Sequence, residues 1–520
     1  MNVLLVNSNS TRCARSGYGL TPAPAGLICL ASVLAKRGHR VKISQLYDHA
    51  LPQDDESLPL LRREIESLLK GFAPDSIGIS ARNLGAARRP FNPFELIQYY
   101  SVFYDARIVR AFRMLCGAPI VMGGTAFSLE PGLYMGHARP DFGIVGEADE
   151  SLPALLEALN CGQEPNNVPG LVTGSSNVDT VWQTCDHVRD LSIMGAGACD
   201  LVEDFGGRYY DPGGFAPIQT KRGCAMDCIY CTAPFFEGHA YRLRPMSHVI
   251  EEMKAYRDIW GARHFFFVDS TFNHPLSHAI EVCEAVLESG LRAKWFAEVT
   301  PAAISDELCR MMAKSGCIGA TLTPDSCAES VLKSYGKAFG VAEVRNAVKL
   351  LKKHRIPFDT CLIIGGPGET EETFGQSIAF CSEHLRDDVV RFYDGMAITR
   401  RSRAFDIAVA EGLIDPSKRY ADLVFQNDFR GVKAYDYFFP HVKKDRGSLL
   451  ESVERACRGK RWLLTSKDYA LDPVTDEFSL HPDILTRRGA RPWWRGLRRR
   501  GTVIAASERT EAETQPDKQA

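Results

Sequence analysis

The chain has 520 residues, 45% hydrophobic and 24% charged, enough for two or three domains with sizeable cores. Lys plus Arg number 62 against 64 for Asp plus Glu, and a net charge of -2 gives no reason to expect long-range attraction to nucleic acid, so small molecules are the expected partners. The start, MNVLLVNSNSTRC, lacks the basic residues and long apolar run of a signal peptide, and no stretch of about 18 apolar residues could span a bilayer; a cytoplasmic protein with no membrane partner is expected. Its 16 cysteines are then mostly reduced, and those lying singly in apolar runs, such as Cys116 and Cys361, read as core.

In chain order, short β-rich runs at 2–7, 40–44, 76–80, 119–124 and 141–146 alternate with helical patterns near 24–37, 56–70, 104–116 and 149–159. Five parallel strands covered by helices make a doubly wound, Rossmann-like α/β domain over residues 1–165, which binds ligands at the carboxyl ends of its strands. Those ends read NSNS, SARNL, GGTAFS and GEADE, and no G-x-G-x-x-G follows the first strand, so a nicotinamide or flavin dinucleotide is not supported. Residues 166–212, rich in Gly, Ser and Asp, form a linker expected to pack across both neighbours.

The segment RGCAMDCIYCTAP, 222–234, spaces three cysteines by four and then three residues. A zinc site would usually draw four ligands from two paired clusters, and no second cluster follows. Three thiolates can instead hold three irons of a 4Fe-4S cubane and leave the fourth to a non-protein ligand. Around this loop, β-rich runs at 216–219, 264–269, 294–299, 318–322, 358–365 and 389–393 alternate with helices. One helix is expected to open at Ser247 and to place Val249, Met253, Tyr256 and Trp260 on one face; another is capped by Ser305 and stopped by Gly316. Six such units predict a parallel sheet curled into a partial (β/α)6 TIM-type barrel over 213–425, with its chemistry on loops at the carboxyl ends of strands. The cysteine loop directly follows the first strand. Beyond lies a C-terminal extension, 426–520, with an aromatic cluster at AYDYFFPH and a basic, then polar, tail from 487 that is expected to be solvated and disordered.

Cys224-x-x-x-Cys228-x-x-Cys231, with Tyr230 before the third cysteine and the flanks QTKRGC and YCTAPFFEGHAYRLR, resembles the cluster loop of the radical S-adenosylmethionine (radical SAM) enzymes. The resemblance implies that the three cysteines bind a 4Fe-4S cluster whose open iron chelates S-adenosylmethionine. It further implies cofactor contacts from Tyr230, from Asp269 and Ser270 after the second strand, from Glu298 ending the third, from Asp325 and Ser326 after the fourth, and from Gly365 and Gly366 at the glycine-rich end of the fifth. Where that family more often shows Gly-Ile-Glu-Ser after the fourth strand, this chain reads Thr-Pro-Asp-Ser.

The first domain resembles the cobalamin-binding domain that precedes the radical SAM core in one class of these enzymes, on PAPAGLICLASVLAKRGHRV, GGTAFSLEP and DFGIVGEADESLPALLEAL. The resemblance places Ser80, Gly123, Gly124, Thr125, Gly146 and Glu147 against cobalamin. The D-x-H-x-x-G motif that supplies a histidine to cobalt is absent; this implies either loss of cobalamin binding or, as the resemblance favours and as is expected here, binding with neither histidine nor the cofactor's own base on the lower face. Together the two resemblances imply a cobalamin-dependent radical SAM methyltransferase. It would C-methylate an unactivated carbon of a small metabolite or natural-product intermediate through methylcobalamin and a 5'-deoxyadenosyl radical, with an electron donor such as flavodoxin or ferredoxin. The alternatives are a rearrangement or ring closure without net methyl transfer, and a non-catalytic metal or cofactor carrier.

Overall fold

The computed structural model describes residues 1–8, 24–46, 58–81, 95–174, 187–195, 215–412 and 455–464, with short pieces at 176, 181, 185, 201, 436–437, 452–453, 469–472 and 477–480. The first sheet is built from strands β1 (Asn2–Ser8), β2 (Arg40–Leu46), β3 (Ser76–Ala81), β4 (Ile120–Gly123) and β5 (Phe142–Ile144), all parallel, in the order β2-β1-β3-β4-β5. A two-residue strand, β6 (Leu171–Val172), closes the edge antiparallel to β5. Both faces of β1 are covered, which is why its apolar run is continuous rather than alternating. Val3 and Leu5 pack under helices α1 (Ala25–Lys36) and α6 (Ser151–Asn160), while Leu4 and Val6 pack under α2 (Leu58–Gly71) and α3 (Glu95–Leu115). The strand order reverses between β1 and β3, and a doubly wound sheet opens a crevice at such a switch point. Two short helices, α4 (Thr125–Leu129) and α5 (Pro131–His137), follow β4.

The second sheet has seven parallel strands. Six fall where the sequence pattern predicts them: β7 (Ala216–Ile218), β10 (His264–Phe267), β11 (Lys294–Val299), β12 (Cys317–Asp325), β13 (Phe358–Ile364) and β14 (Val389–Asp394). The seventh, β17 (Trp462–Leu464), comes from the C-terminal extension, pairs with β14 and has no counterpart in the sequence reading. A small hairpin of β8 (Lys221–Arg222) and β9 (Arg242–Leu243) brackets the cysteine loop and its one-turn helix α7 (Ala233–Glu237).

Helices α8 (Met246–Trp260), α9 (Leu276–Glu288), α10 (Asp306–Ser315), α11 (Glu329–Ser334), α12 (Val341–Lys353) and α13 (Glu371–His384) cover the outside. In α10 the Leu308 N–H donates to Ser305 Oγ at 3.0 Å, and Gly316 ends the helix at φ +97°, as the pattern predicts. Helix α8 differs: Pro245, not Ser247, precedes its first turn, because a proline with fixed φ already points the chain into the helix and Ser247 lies one residue inside. Its apolar face is as expected, with Val249, Met253 and Tyr256 fully buried.

The remaining described elements are the pair β15 (Met396–Ala397) and β16 (Asp436–Tyr437), helix α14 (Arg403–Ala410), and a hairpin of β18 (Tyr469–Asp472) and β19 (Glu477–Leu480). One apolar cluster includes Val3 and Leu5 of the first sheet and Ile28 of α1 together with Ile218, Phe265 and Trp295 of the second sheet, so the two sheets share a core. Part of the linker joins them: Leu191 and Met194 pack on Cys29 and Val33 of α1, while the Gly195 carbonyl accepts from Arg244 Nη2 at 2.8 Å. No helix among the described residues is long and apolar enough to cross a membrane. The tail from 487 lies outside the described residues.

Candidate active site between the two sheets

The cysteine loop is pinched at its base. Gly223 has φ +99°, and a Cβ there would lie 2.2 Å from the Ala240 carbonyl oxygen, so only glycine lets the two ends of the loop cross this closely. Backbone bonds hold the rest: Cys224 N–H donates to the Gly238 carbonyl, Cys231 N–H to the Cys228 carbonyl and Ile229 N–H to the Tyr335 carbonyl, each at 3.0 Å. Cys224 is buried, and Cys228 and Cys231 are half-buried. Burial pushes the Cys224 thiol up and carries Cys231 to about 12, so these groups stay protonated until a metal displaces the protons.

No three His, Cys, Asp or Glu side chains among the described residues surround a single point as a lone ion requires. A cubane asks for something different, one thiolate on each of three irons, and the donor set suits it. The Ala233 N–H points at Cys231 Sγ at 3.4 Å and the Lys337 ammonium at Cys228 Sγ at 3.3 Å, the donors that thiolate ligands call for.

The carboxyl ends of the strands surround this loop. Asp325, buried at the end of β12 with φ +65°, receives the Tyr230 hydroxyl and the Lys337 ammonium on the same oxygen. Burial would lower the Lys337 ammonium, but Asp325 and Cys228 outweigh it and carry it to about 12. Glu298 lies on the inner face of β11, since Trp295, Ala297 and Val299 pack under the helices. Desolvation by surrounding protein pushes its carboxyl up, against Arg391, which lowers it. Gly365 has φ +88° and donates its N–H to Glu369; Gly366 donates to Tyr335 Oη at 3.1 Å, and a Cβ on it would strike that hydroxyl at 2.4 Å.

Three of the residues expected to contact cofactor also bond within the protein. Asp269 accepts from Thr220 N–H at 2.7 Å, Thr220 Oγ1 at 2.6 Å and Lys221 Nζ at 3.0 Å, which pins the entry to the cysteine loop. Ser326 Oγ accepts from Ala328 N–H at 3.2 Å and meets Ser377 Oγ at 3.4 Å, which makes it a buried turn-former. Ser270 donates to Glu237 Oε2 at 3.0 Å, and Gly223 N–H reaches the same oxygen at 3.0 Å.

The six residues expected against cobalamin, Ser80, Gly123, Gly124, Thr125, Gly146 and Glu147, line one cleft at the β1/β3 switch point. Its opposite wall is the cysteine-loop hairpin, through Gln219, Arg222, Phe236 and Glu237. Gly124 sits at φ +93°, and a Cβ there would come within 2.6 Å of the Ala81 carbonyl oxygen; a Cβ on Gly123 meets nothing closer than 3.5 Å. The cleft floor is thus bare backbone, open to a large planar ligand, and the residues fit a corrin. The segment after β1, where a cobalt-ligating histidine is missing from the sequence, lies outside the described residues.

Glu147 does more than line the cleft. It pairs with Arg242 at 2.7 Å and with Arg222 at 3.4 Å, and accepts from Val188 N–H at 2.7 Å; Asp149 holds Arg222 at 2.7 Å. All four side chains are nearly buried, and they tie the first sheet to the residues flanking Cys224. Arg222, Arg242, Asp149, Glu237 and Lys337 were not singled out from the sequence. Asp149 stood in the quoted strand end GEADE; Lys337, a lone charge in a turn, left no periodic signal.

Residues 218–381 match the family model of the Radical SAM superfamily. An uncharacterized methyltransferase of Pyrococcus horikoshii is 26% identical over 80% of this chain and 84% of its own length. The tryptophan 2-C-methyltransferase of Streptomyces laurentii is 22% identical over 68% of this chain and 66% of its own. Among solved structures, the radical SAM methyltransferase TsrM of Kitasatospora setae, seen with cobalamin and a [4Fe-4S] cluster and with tryptophan and an S-adenosylmethionine analogue, superposes with a TM-score of 0.72 at 20% identity, covering 95% of this chain and 97% of TsrM. The three-cysteine loop, at the mouth of a parallel barrel and facing a glycine-floored cleft in a Rossmann-like domain, thus lies within a Radical SAM superfamily match, and the chain as a whole shares the fold of TsrM.

Proposed function

We propose that this protein C-methylates a small molecule, with Cys224, Cys228 and Cys231 holding a 4Fe-4S cluster and the cleft of Ser80, Gly123, Gly124, Thr125, Gly146 and Glu147 holding cobalamin. The single observation that carries the reading is that this cleft and the cysteine loop share a wall: Arg222 and Glu237 line the one and bracket the other. When bound, the cluster with S-adenosylmethionine supplies radical chemistry and cobalamin supplies the methyl group.

The chain's own residues hold and exclude. Tyr230, Asp325 and Lys337 form a buried polar edge beside Cys228, fit to receive the polar end of S-adenosylmethionine. Gly365 and Gly366 bring bare backbone to the end of β13, where a flat base can approach. Leu27, Leu30, Val121 and Phe236 keep the cleft apolar and so shield a reactive substrate from water. Glu237, with one oxygen held by Gly223 and Ser270, is placed to orient a substrate donor group. A flavodoxin or ferredoxin is the proposed electron donor.

The test uses anaerobically reconstituted protein, cobalamin, methyl-labelled S-adenosylmethionine and a small-molecule extract, read by mass spectrometry. A metabolite that gains the labelled methyl supports the proposal. A product of changed structure with no added methyl, or no product while cluster and cobalamin are bound, overturns it. Alanine at all three cysteines should remove iron, 5'-deoxyadenosine and labelled product together.

A further inference from the structure

Lys337 sits on the turn that follows α11, and that turn is docked onto the cysteine loop by backbone contacts and by packing of Tyr335 against Ile229. Ile229 N–H donates to the Tyr335 carbonyl at 3.0 Å, and Gly336, at φ +70°, presses so closely that a Cβ would fall 2.3 Å from the Asp227 carbonyl oxygen. The lysine is therefore delivered to one place, between the second and third cysteines. Its side chain is only 3% exposed. Its ammonium lies 3.3 Å from Cys228 Sγ and 2.9 Å from Tyr230 Oη, bonds Asp325, and stands over the Tyr230 ring at 5.1 Å.

Burying an ammonium is costly unless anions compensate it, and here there is one carboxylate on one side and one cysteine sulfur on the other. Cluster potentials follow net charge and hydrogen bonds to the ligand sulfurs. A cation 3.3 Å from one such sulfur stabilises the cluster more after it has gained an electron than before, and does so strongly because little water screens the contact. Asp325, on the far side of the same ammonium, works in the opposite sense.

We propose that Lys337 is a positioning residue for the cluster: docked on Cys228 and held by Asp325, its charge keeps the reduction potential above what the three thiolates alone would set. This inference rests on the reading of Cys224, Cys228 and Cys231 as cluster ligands. It concerns the one-electron reduction of the cluster itself, with dithionite as the electron source, and needs no substrate.

The experiment is a redox titration of the reconstituted full chain, followed by electron paramagnetic resonance without S-adenosylmethionine, with iron and sulfide counted in every sample. K337M is expected to shift the midpoint to a more negative potential and K337R to leave it near the native value. D325N is expected to shift it to a less negative potential, with D325N/K337M between the two single variants. Full cluster content with an unchanged midpoint in K337M overturns the proposal. Should K337M fail to hold a cluster, a D325N midpoint equal to the native one overturns it as well. If the native chain takes up no iron, the cluster reading itself falls, and that outcome is distinguished by the iron count alone.

Discussion

Glu369 shows how much one buried side chain can say about behaviour in solution. It is 2% exposed, takes the Gly365 N–H, and burial pushes its carboxyl up to about 8. The folded chain therefore binds this proton more tightly than the unfolded chain does. The contribution to stability is fully present below the ordinary carboxylate value of 4.5 and is lost as pH rises through about 8. Its ceiling is on the order of 5 kcal/mol. E369Q, which keeps the acceptor and removes the titration, should show a flatter dependence of thermal unfolding on pH than the native chain; parallel curves would contradict the assignment. Residues of this kind are hidden from sequence reasoning, because GGPGET reads as a turn whatever its glutamate touches. That six expected residues line one cleft is legible for the opposite reason: glycines and small polar residues at strand ends leave backbone open. Asp269 lies between these cases, since a carboxylate at a strand end looks the same in sequence whether or not it also bonds neighbours such as Thr220 and Lys221.

The alternation of strands and helices is legible in the sequence for eleven parallel strands, five in the first sheet and six in the barrel, because each has a run of apolar residues bounded by turns. Strand β17 escaped because it is three residues long and lies far along the chain from its neighbour. Its anchor is Trp462, fully buried, which donates its indole N–H to the Leu385 carbonyl at 3.0 Å, meets Phe392 edge-on at 5.9 Å, and has Lys460 over its ring at 3.8 Å. Replacing a buried Trp by Ala costs about 3–5 kcal/mol. W462A should therefore lower the unfolding midpoint, and hydrogen exchange should quicken at Val390–Phe392, the register partners of this strand. Unchanged protection there would mean that β17 only rests against the sheet and does not brace it.

At the scale of the whole molecule, the two sheets must hold a cleft and a cysteine loop in fixed relation, and shared apolar core alone would let them slide. The buried ions prevent that. Glu147 carries Arg242 at 2.7 Å and Arg222 at 3.4 Å, with Asp149 on Arg222 at 2.7 Å, while the more exposed Arg400–Glu130 pair at 3.1 Å braces the same two halves elsewhere. Removing one member of a buried network leaves the others desolvated and unpaired, a loss of about 3–5 kcal/mol, whereas the half-buried Arg400–Glu130 pair stands outside that network. Because Arg222 lies two residues before Cys224 and Glu147 lines the cleft, E147A should lower cobalamin retention and cluster content together, and E130A neither. A double-variant cycle with E147Q and R242M separates coupling from bulk destabilisation: joined sites give a non-additive result of about 0.5–3 kcal/mol, and independent ones add. Additive losses, or loss of cobalamin with a fully retained cluster in E147A, would show that the two halves hold their ligands separately and that the network serves stability alone.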